Sequence, residues 1–408
     1  MDRHHRIKST RVIYIILLML ISTPYISQGV QSSRLNIHKF PSPGPIRDQV
    51  RFWEAIFGKY TQQEAVIHDV NMPHIIIDVV NFDIFMKKHN RKTPYTRKEK
   101  NKLTKKYIKR YTLAIQRIQQ EGKKAIQRGA MEKRVYNVYR RDRRGYLALL
   151  KGKARLRSQT GLKDEFERAA KRAQNYLPYM ERIFRKHRLP TDLTRMVFVE
   201  SMFNLNAYSK VGASGIWQFM PRTGRRFMTV NKWIDERNSP LKATEAAAKL
   251  LKANYEALRT WPLAITAYNH GVAGLQTAKR RLGTSNFGVI VQRHKSRTFG
   301  FASRNFYGEF LAARNIYNRQ FVKKFPKKYN PLGISKVVIT QPTTLRQIMR
   351  RTSITKNMIQ THNPEIKNRT YTRYLNRNLP KDFLLFVPTK YTYNFKKMAQ
   401  SQSRKRKI

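Results

Sequence analysis

The sequence predicts a mainly α-helical protein that ends in a small module containing both strands and helices. From residue 177 to residue 325, apolar residues recur at helical spacing almost without interruption, and few segments alternate as strands do. Between residues 95 and 157 they recur every three or four positions among many lysines and arginines, which indicates long basic amphipathic helices. The pattern of residues 337–388 instead predicts a strand, two short helices and a second strand.

These patterns divide the 408 residues into five parts. They are a signal peptide at 1–30, a basic helical N-terminal region at 31–176, a helical domain at 177–325, a strand-containing module at 335–390 and a basic tail at 391–408. The absence of cysteine excludes disulfides, a thiol nucleophile, thiolate metal sites and an acylated cysteine anchor. We expect no cofactor and no metal.

The formal charge of +60 comes from 84 lysines and arginines against 24 aspartates and glutamates. Such a field attracts polyanions, among them nucleic acid, anionic lipid and acidic cell-wall polymer. Because the basic residues are spread along the whole chain, a solvated surface remains as good an interpretation as a dedicated polyanion site. No phosphate-binding glycine loop, zinc spacing or stacking-aromatic motif accompanies the charge, so nucleic acid is not expected as a partner. An anionic polymer or a membrane surface remains a candidate.

The first residues have the order of a secretory signal. The charged stretch MDRHHRIKSTR precedes the apolar VIYIILLMLI, and the small polar STPYISQGVQSS follows. About ten apolar residues are too few for an ordinary membrane span. We expect export to the periplasm or cell envelope, with cleavage near residues 27–31 or retention of the segment as an uncleaved anchor.

The N-terminal region begins with a helical pattern around residues 52–60. The apolar run at residues 70–88 fits either a strand or a buried helix, and periodicity alone does not decide between them. His68 stands beside Asp69, which suggests a local hydrogen bond without a third catalytic partner.

A carboxylate ends an apolar run in the stretch VESMFNLNAYSKVGASGIWQFMP. Glu200 falls in the last turns of a helix that opens with a proline, a threonine and an aspartate, while Gly212 and Gly215 permit tight turns before a helix resumes. This arrangement places Glu200 over a cleft that Ser209 and Gln218 face. The apolar residues in the stretch are expected in the core: Trp217, Phe219 and Met220.

Two motifs resemble the lysozyme-like catalytic domain of the bacterial lytic murein transglycosylases, closest to the membrane-bound lytic murein transglycosylase D group. The second motif is Ala-Tyr-Asn-x-Gly at residues 267–271. The first motif is carried, at the family's spacing, by Glu200, Ser201, Asn204, Ser209, Gly212, Ala213, Gly215, Gln218 and Pro221. The resemblance covers residues 177–317 and implies a lysozyme-like helical fold for the domain.

The resemblance implies that Glu200 is the catalytic acid and base. It also implies that Ser209, Gln218, Tyr268 and Asn269 line the sugar cleft. Two positions depart from the family's pattern. Ala302-Ser303 stand where Glu-Thr is usual, which predicts the loss of one substrate contact, and His270 replaces a small residue and is expected at the cleft edge.

The implied reaction cleaves the β-1,4 bond between N-acetylmuramic acid and N-acetylglucosamine of peptidoglycan strands. Glu200 first donates its proton to the leaving oxygen and then takes one from the C6 hydroxyl, which closes a 1,6-anhydro ring. Ordinary glycosidases need a second carboxylate, and no acid of the sequence is convincing in that role. The acids weighed and rejected are Asp235, Glu236, Glu245 and Glu256. A hydrolytic muramidase and an inactive glycan-binding protein remain the alternatives.

The C-terminal module resembles a LysM module, a small βααβ fold that binds N-acetylglucosamine chains. Residues 343–366 match its two helices and the Asn-Pro that follows them, and LPKDFLLFVP matches its closing strand. Pro342-Thr343 replace the usual Gly-Asp, so the module is degenerate and its affinity for glycan is left open. Even weak binding would raise the local concentration of the enzyme on the wall.

Overall fold

The structure, a computed structural model, describes residues 40–325 and 330–404 and is mainly helical, as predicted. The predicted signal peptide lies outside the described residues. Among those described, no helix combines the length and the apolar character that crossing a membrane requires.

The helices are α1 (Gly44–Gly58), α2 (Phe82–Lys88), α3 (Arg97–Glu121), α4 (Ala130–Tyr139), α5 (Arg143–Leu150), α6 (Lys163–Ala173), α7 (Leu177–Lys186), α8 (Met196–Ser201), α9 (Pro221–Gly224), α10 (Pro240–Leu258), α11 (Trp261–His270), α12 (Val272–Leu282), α13 (Phe287–Arg293), α14 (Phe301–Gln320), α15 (Leu345–Thr352), α16 (Lys356–His362), α17 (Asn368–Leu375) and α18 (Thr392–Arg404). The strands are β1 (Glu64–Asp69), β2 (Ile76–Asn81), β3 (Leu156–Thr160), β4 (Ile334–Ile339) and β5 (Phe383–Pro388).

The N-terminal region contains a sheet that the helical prediction missed. Its three antiparallel strands have the order β2-β1-β3. Every residue of β1 after Glu64 is buried, so the strand lacks the alternation of a half-exposed strand that a sequence pattern reveals. The ambiguous run at residues 70–88 is both strand and helix, because Asn81 ends β2 and caps α2 by accepting hydrogen bonds from two of its backbone amides.

The basic amphipathic helices of this region are present. Thr96 begins α3 with a reciprocal capping box to Glu99, and Gly122, at φ +61°, ends it. The apolar face of α3 packs on α4 and on the sheet, around a core that includes Ile77, Ile115 and Ile118. Lysines and arginines cover the exposed face.

The helical domain is built around α14, which packs against α1, α8 and α11. α1 approaches α14 so closely that a Cβ added to Gly308 would lie 2.9 Å from the Cβ of Gln49. α6 supports α8 through Phe166, whose ring stacks on Phe198 at 4.6 Å. Both α1 and α6 belong to the predicted N-terminal region, yet they form part of the packing that holds α8 and α14.

The C-terminal module pairs β4 with β5 in antiparallel register, with the predicted helices between them. A third helix, α17, also lies between the strands. The described part of the segment predicted as a basic tail forms α18, whose Phe395 and Met398 are buried in the core of the module. These two residues lie on one helical face, and this apolar face explains why the segment folds back.

Buried charges join the module to the helical domain. Lys242 of α10 pairs with Glu365 at 2.6 Å and with Glu236 at 3.0 Å, and Glu365 is fully buried. Next to them, the guanidinium of Arg373 lies 4.2 Å from the ring centre of Trp233, which packs against the core of the module.

Candidate active site

Glu200 lies in the last turn of α8. The two residues that follow this helix have an unusual backbone conformation. Met202 and Phe203 are consecutive non-glycine residues with positive φ, at +50° and +55°. Each such conformation costs roughly 1 kcal/mol and persists where the surroundings fix it. Here Arg172 donates to the Met202 carbonyl at 2.8 Å, and the fully buried Phe203 packs against Phe198. The position of Glu200 is therefore held from both sides of the turn.

The glycine bend after α8 is fixed by Arg237, a residue that sequence analysis did not single out. Its guanidinium donates to the carbonyls of Gly212 at 2.7 Å and of Phe219 at 3.0 Å, and pairs with Asp235 at 2.7 Å. Gly215 has φ +74°, and a Cβ there would lie 1.8 Å from the Arg237 carbonyl oxygen. Only glycine fits this approach.

We expect Gly215→Ala to lower the free energy of unfolding by more than about 3 kcal/mol, because it adds a backbone clash to the strain of positive φ. Denaturant unfolding measures the change. Gly283→Ala is the matched control, since Gly283 also has positive φ but has no neighbour within 4 Å of an added Cβ. We expect this control to lower the free energy of unfolding by only about 1 kcal/mol. Equal losses in the two variants would contradict the role of the close approach.

Ser209 and Gln218 both lie in this bend, as predicted. The hydroxyl of Ser209 accepts a hydrogen bond from the Ala213 amide at 2.9 Å. Gln218 has φ +47° and its side-chain amide donates to the carbonyls of Gly215 at 2.8 Å and Ala207 at 3.2 Å. The two side chains are thus held to the backbone of the bend, and the Ser209 hydroxyl keeps a proton to donate.

The second motif ends α11, where Gly271 turns the chain at φ +88°. Tyr268 donates from its hydroxyl to the Trp217 carbonyl at 2.8 Å, which ties α11 to the glycine bend. The side-chain oxygen of Asn269 accepts a hydrogen bond from Ser303 at 2.8 Å. Ser303 occupies one of the two positions that depart from the family's pattern, and its hydroxyl contacts the second motif through this hydrogen bond.

The neighbouring residues differ in burial. Trp217 and Phe219 are buried as predicted, but the prediction for Met220 is wrong, because this side chain is 41% exposed at the start of α9. His270 is half-buried against Phe299, with ring centres 5.0 Å apart. His68 makes the predicted local bond, from Nδ1 to the Asp69 carbonyl at 2.9 Å, and burial lowers its pKa to about 4.

The electrostatics of the cleft favour a protonated Glu200. Burial, together with the nearby Glu309 carboxyl, raises the pKa of Glu200 to about 8. The residue nevertheless keeps partial exposure to solvent. Burial and the Glu200 charge also raise the pKa of the Tyr268 hydroxyl well above its ordinary value. Glu200 therefore still carries a proton at neutral pH.

Glu309 is an acid that sequence analysis missed. It lies on α14, which packs against α8, and burial raises its pKa to about 8 although the Arg157 charge opposes the rise. The guanidinium of Arg157, on β3, lies 3.6 Å from the ring centre of Phe301. The sequence does contain a signal for this residue, because Glu309 is an acid within the otherwise apolar stretch FYGEFLAA.

Three of the four acids rejected from the sequence have other partners, which supports their rejection. Asp235 pairs with Arg237, Glu236 with Lys242, and Glu245 with His187 at 2.6 Å. Glu256 is exposed on α10. Glu309, which was not among the acids weighed from the sequence, comes from a distant part of the chain and acts electrostatically on Glu200. Residues 40–325 and 330–404 contain no cluster of three acidic or histidine side chains that could hold a metal ion.

Comparison with known proteins identifies the domain that carries this site. Residues 181–290 match the family described as Transglycosylase SLT domain. The chain is 23% identical over 207 residues to membrane-bound lytic murein transglycosylase D of Escherichia coli strain K12, a match covering 49% of this chain and 44% of the relative. It is 35% identical over 102 residues to a protein of Alteromonas sp. strain M-1 named for tributyltin chloride resistance, covering 24% of this chain and 49% of that protein.

The chain thus contains an SLT transglycosylase domain and is a distant homologue of the transglycosylase D proteins. Each match spans just under half of the relative's own length. The residues predicted for the site, from Glu200 to Asn269, lie inside the matched domain, whereas Arg157 and Glu309 lie outside it.

Proposed function

We propose, from the SLT domain and its buried acid, that this chain is an exported peptidoglycan lytic transglycosylase that needs no cofactor. The observation that supports the proposal is the buried Glu200 of the first motif, whose raised pKa of about 8 keeps its proton at neutral pH and which lies near the Tyr268 hydroxyl of the second motif. A glycosidic oxygen leaves readily only when it is protonated, so the reaction needs an acid that retains its proton near neutral pH.

In the proposed reaction, Glu200 donates its proton to the oxygen that links N-acetylmuramic acid to N-acetylglucosamine, and the bond from that oxygen to the anomeric carbon breaks. The ionised Glu200 then takes the proton of the C6 hydroxyl, whose oxygen bonds to the anomeric carbon and closes the 1,6-anhydro ring. Glu200 ends in its starting form, and no water is consumed. The N-acetyl group of the substrate stabilises the positive charge between these steps.

The proposed sugar-binding residues are Ser209, Gln218, Tyr268 and Asn269. The Tyr268 hydroxyl lies near Glu200, where it can stabilise the developing charge, and the Ser209 hydroxyl can donate to the leaving or acetamido oxygen. Groups fixed in advance by their own hydrogen bonds, as these are, lose little freedom when the transition state forms.

Glu309 favours a second candidate, a hydrolytic muramidase on the same fold. A hydrolase would use the second acid, in its ionised form, to activate water or to attack the anomeric carbon. Burial raises the pKa of Glu309 to about 8, however, so at neutral pH this group is mostly a neutral acid that cannot serve as a base. The single-acid reaction therefore remains the primary proposal.

Mass spectrometry of the products distinguishes these functions. We expect the purified protein, without added metal or nucleotide, to release 1,6-anhydro muropeptides from isolated peptidoglycan. Reducing-end muropeptides, heavier by one water, would instead identify a muramidase. Wall binding without release would identify an inactive glycan-binding protein.

Export to the cell envelope, and wall attachment by the LysM-like module, belong to the same proposal. The basic surface of α3 is a candidate contact for an anionic polymer or membrane surface. We expect binding of the protein to isolated peptidoglycan to weaken as salt rises if this surface contributes, because salt screens exposed charges. Co-sedimentation across a salt series measures this, and binding that does not change with salt would assign attachment to uncharged contacts.

A further inference from the structure

A cavity of about 700 Å³ lies between the N-terminal region and the helical domain. Its walls are the loop between β1 and β2, α5 with the loop that follows it, the first part of α1, the end of α13 and the start of α14. This volume falls in the range of sites that hold a small molecule or a short peptide. None of the residues proposed for the sugar cleft is among the described residues that line it, so the proposed reaction leaves the cavity unexplained.

The cavity has an excess of positive charge. Its cations are Arg144, Lys153, Arg155, Lys295 and Arg304, and Asp48 is the one acid among the described residues that line it. Asp48 already pairs with Arg144 at 3.0 Å. The other four cations have no acidic partner within the part of the chain that the structure describes. Because basic residues are common throughout this chain, the arrangement of these groups matters more than their number.

Arg304 is the cation that the fold confines most closely. Its guanidinium donates to the side-chain oxygen of Asn71, in the loop between β1 and β2, at 3.4 Å and to the His294 carbonyl at 3.3 Å. Both acceptors are neutral, and the Nε of Arg304 is buried without a hydrogen-bond partner among the described residues. Burial lowers the pKa of Arg304, as expected for a cation without a counter-ion. An anion in the cavity would offset the cost of burying this charge.

The N-terminal region contributes two of the unpaired cations from the loop between α5 and β3. The Arg155 guanidinium is held by its own loop, because it donates to the carbonyls of Gly152 at 2.7 Å and Ala154 at 2.8 Å. The backbone amide of Arg155 donates to the buried Asp69 carboxylate at 3.3 Å, which fixes the loop to the sheet. A cation that is ordered before its ligand arrives loses less freedom on binding.

The cavity adjoins the second sequence motif. The Phe299 ring centre lies 5.0 Å from that of His270 and 5.3 Å from that of His294, the residue whose carbonyl accepts from Arg304. Asn269 also accepts a hydrogen bond, at 2.8 Å, from the residue that precedes Arg304 on α14. A substituent of a sugar bound beside the second motif would therefore lie near the cavity.

Peptidoglycan carries an anion that suits these groups. Its N-acetylmuramic acid bears, on the lactyl ether, a short stem peptide with free carboxylates. We propose that the cavity binds the carboxylates of this stem peptide, with Arg304 as the group that holds one of them. The inference rests on the proposed function, because the glycan must occupy the cleft for its peptide to reach the cavity. All five cations lie outside residues 181–290, so the site is not part of the matched domain.

The first test compares two soluble ligands by isothermal titration calorimetry on the full chain. One is the disaccharide of N-acetylglucosamine and N-acetylmuramic acid with its stem peptide, and the other is the same molecule with the peptide carboxylates amidated. Neither contains the bond that the proposed reaction cleaves. We expect the charged ligand to bind about tenfold or more tightly than the amidated one, because charge-assisted hydrogen bonds are lost with the carboxylates.

Arg304→Gln is the second test. We expect it to weaken binding of the charged ligand about tenfold and to change binding of the amidated ligand by less than about twofold. Arg304→Lys keeps the charge but loses the two parallel N–H donors that match a carboxylate, so its affinity should fall between those of the wild type and the glutamine variant. Thermal unfolding of each variant confirms that folded proteins are compared.

Arg155→Gln keeps the inference testable if the Arg304 variants fail to fold, since Arg155 is exposed on the opposite region of the chain. We expect it to weaken binding of the charged ligand about threefold, because an exposed cation contributes less than a confined one. Lys252→Gln is the matched control for the loss of one positive charge. Lys252 is exposed on α10, outside the cavity, and its replacement should leave both affinities unchanged.

Particular outcomes would overturn the inference. Equal affinity of the wild type for the charged and the amidated ligand would do so, as would an Arg304→Gln variant that loses both affinities equally, which indicates a structural role. Competition by a short polyglutamate as strong as by the free stem peptide would overturn the assignment to the stem peptide. A protein that binds the charged ligand as expected but releases no product from peptidoglycan would instead refute the proposed function and support the carboxylate site.

Discussion

Glu200→Gln is expected to reduce release of anhydro-muropeptides by about a thousandfold or more, because the amide cannot donate the proton that the leaving oxygen needs. The change keeps the shape of the side chain, so wall binding should be retained. Product analysis by mass spectrometry and co-sedimentation with peptidoglycan measure the two effects separately. Comparable product yield from the variant would remove Glu200 from the mechanism.

The same variant has an expected effect on stability. The folded-state pKa of Glu200, about 8, is above the ordinary value of 4.5, so the folded protein holds a proton that the unfolded chain releases between these pH values. The stability from this proton is complete below pH 4.5 and is lost as the pH rises to 8. We expect Glu200→Gln to be more stable than the wild type by about 1–2 kcal/mol at pH 8, after allowance for the water that reaches the cleft.

A pH series of denaturant unfolding tests this expectation, and the difference between the two proteins should disappear toward pH 5. Glu256→Gln, at an exposed position, should show no such trend. If the Glu200 variant were no more stable than the wild type at pH 8, the carboxyl would be better hydrated than the structure indicates.

Glu365→Gln is expected to lower the free energy of unfolding by about 3–5 kcal/mol, because it removes one partner of a buried ion pair. Glu365 is 1% exposed and lies 2.6 Å from the Lys242 ammonium, which is buried as well. The ammonium would keep only Glu236, at 3.0 Å, as an acidic partner. Denaturant unfolding at neutral pH measures the loss.

The matched control replaces both charges, with Lys242→Met and Glu365→Leu in one protein. Apolar residues of similar volume leave no unpaired buried charge between them, so this double variant should recover most of the stability that the single change loses. A single variant as stable as the wild type would show that water reaches the pair and that the module is less closely docked.

The site was predictable where its residues are close in sequence. Glu200, Ser209 and Gln218 fall in one short stretch, and Tyr268 and Asn269 in another, so these two motifs carry the resemblance that implies their roles. Glu309 acts electrostatically on Glu200, and Arg157 on Glu309, through tertiary packing, and neither residue belongs to a motif. The distance of these two residues from the motifs explains why the sequence indicated a site with a single acid.

The fold was predictable where one helical face is polar. The basic helix α3 showed its periodicity in the sequence, whereas β1 is buried along most of its length and therefore showed no alternation. The basic residues at the end of the chain, with Lys396 and Lys397, predict a tail, and they obscure the helical spacing of Phe395 and Met398. Local composition could not reveal the core against which these two residues pack.

Because α1 packs closely along α14, a fragment of this protein needs both helices in order to fold. A fragment cut to the matched boundaries, residues 181–290, would omit both helices and leave the apolar surfaces of α8 and α11 open to water. We expect such a fragment to aggregate, because these apolar surfaces would be exposed. A portion that folds by itself should therefore begin before Gly44 and extend beyond Gln320.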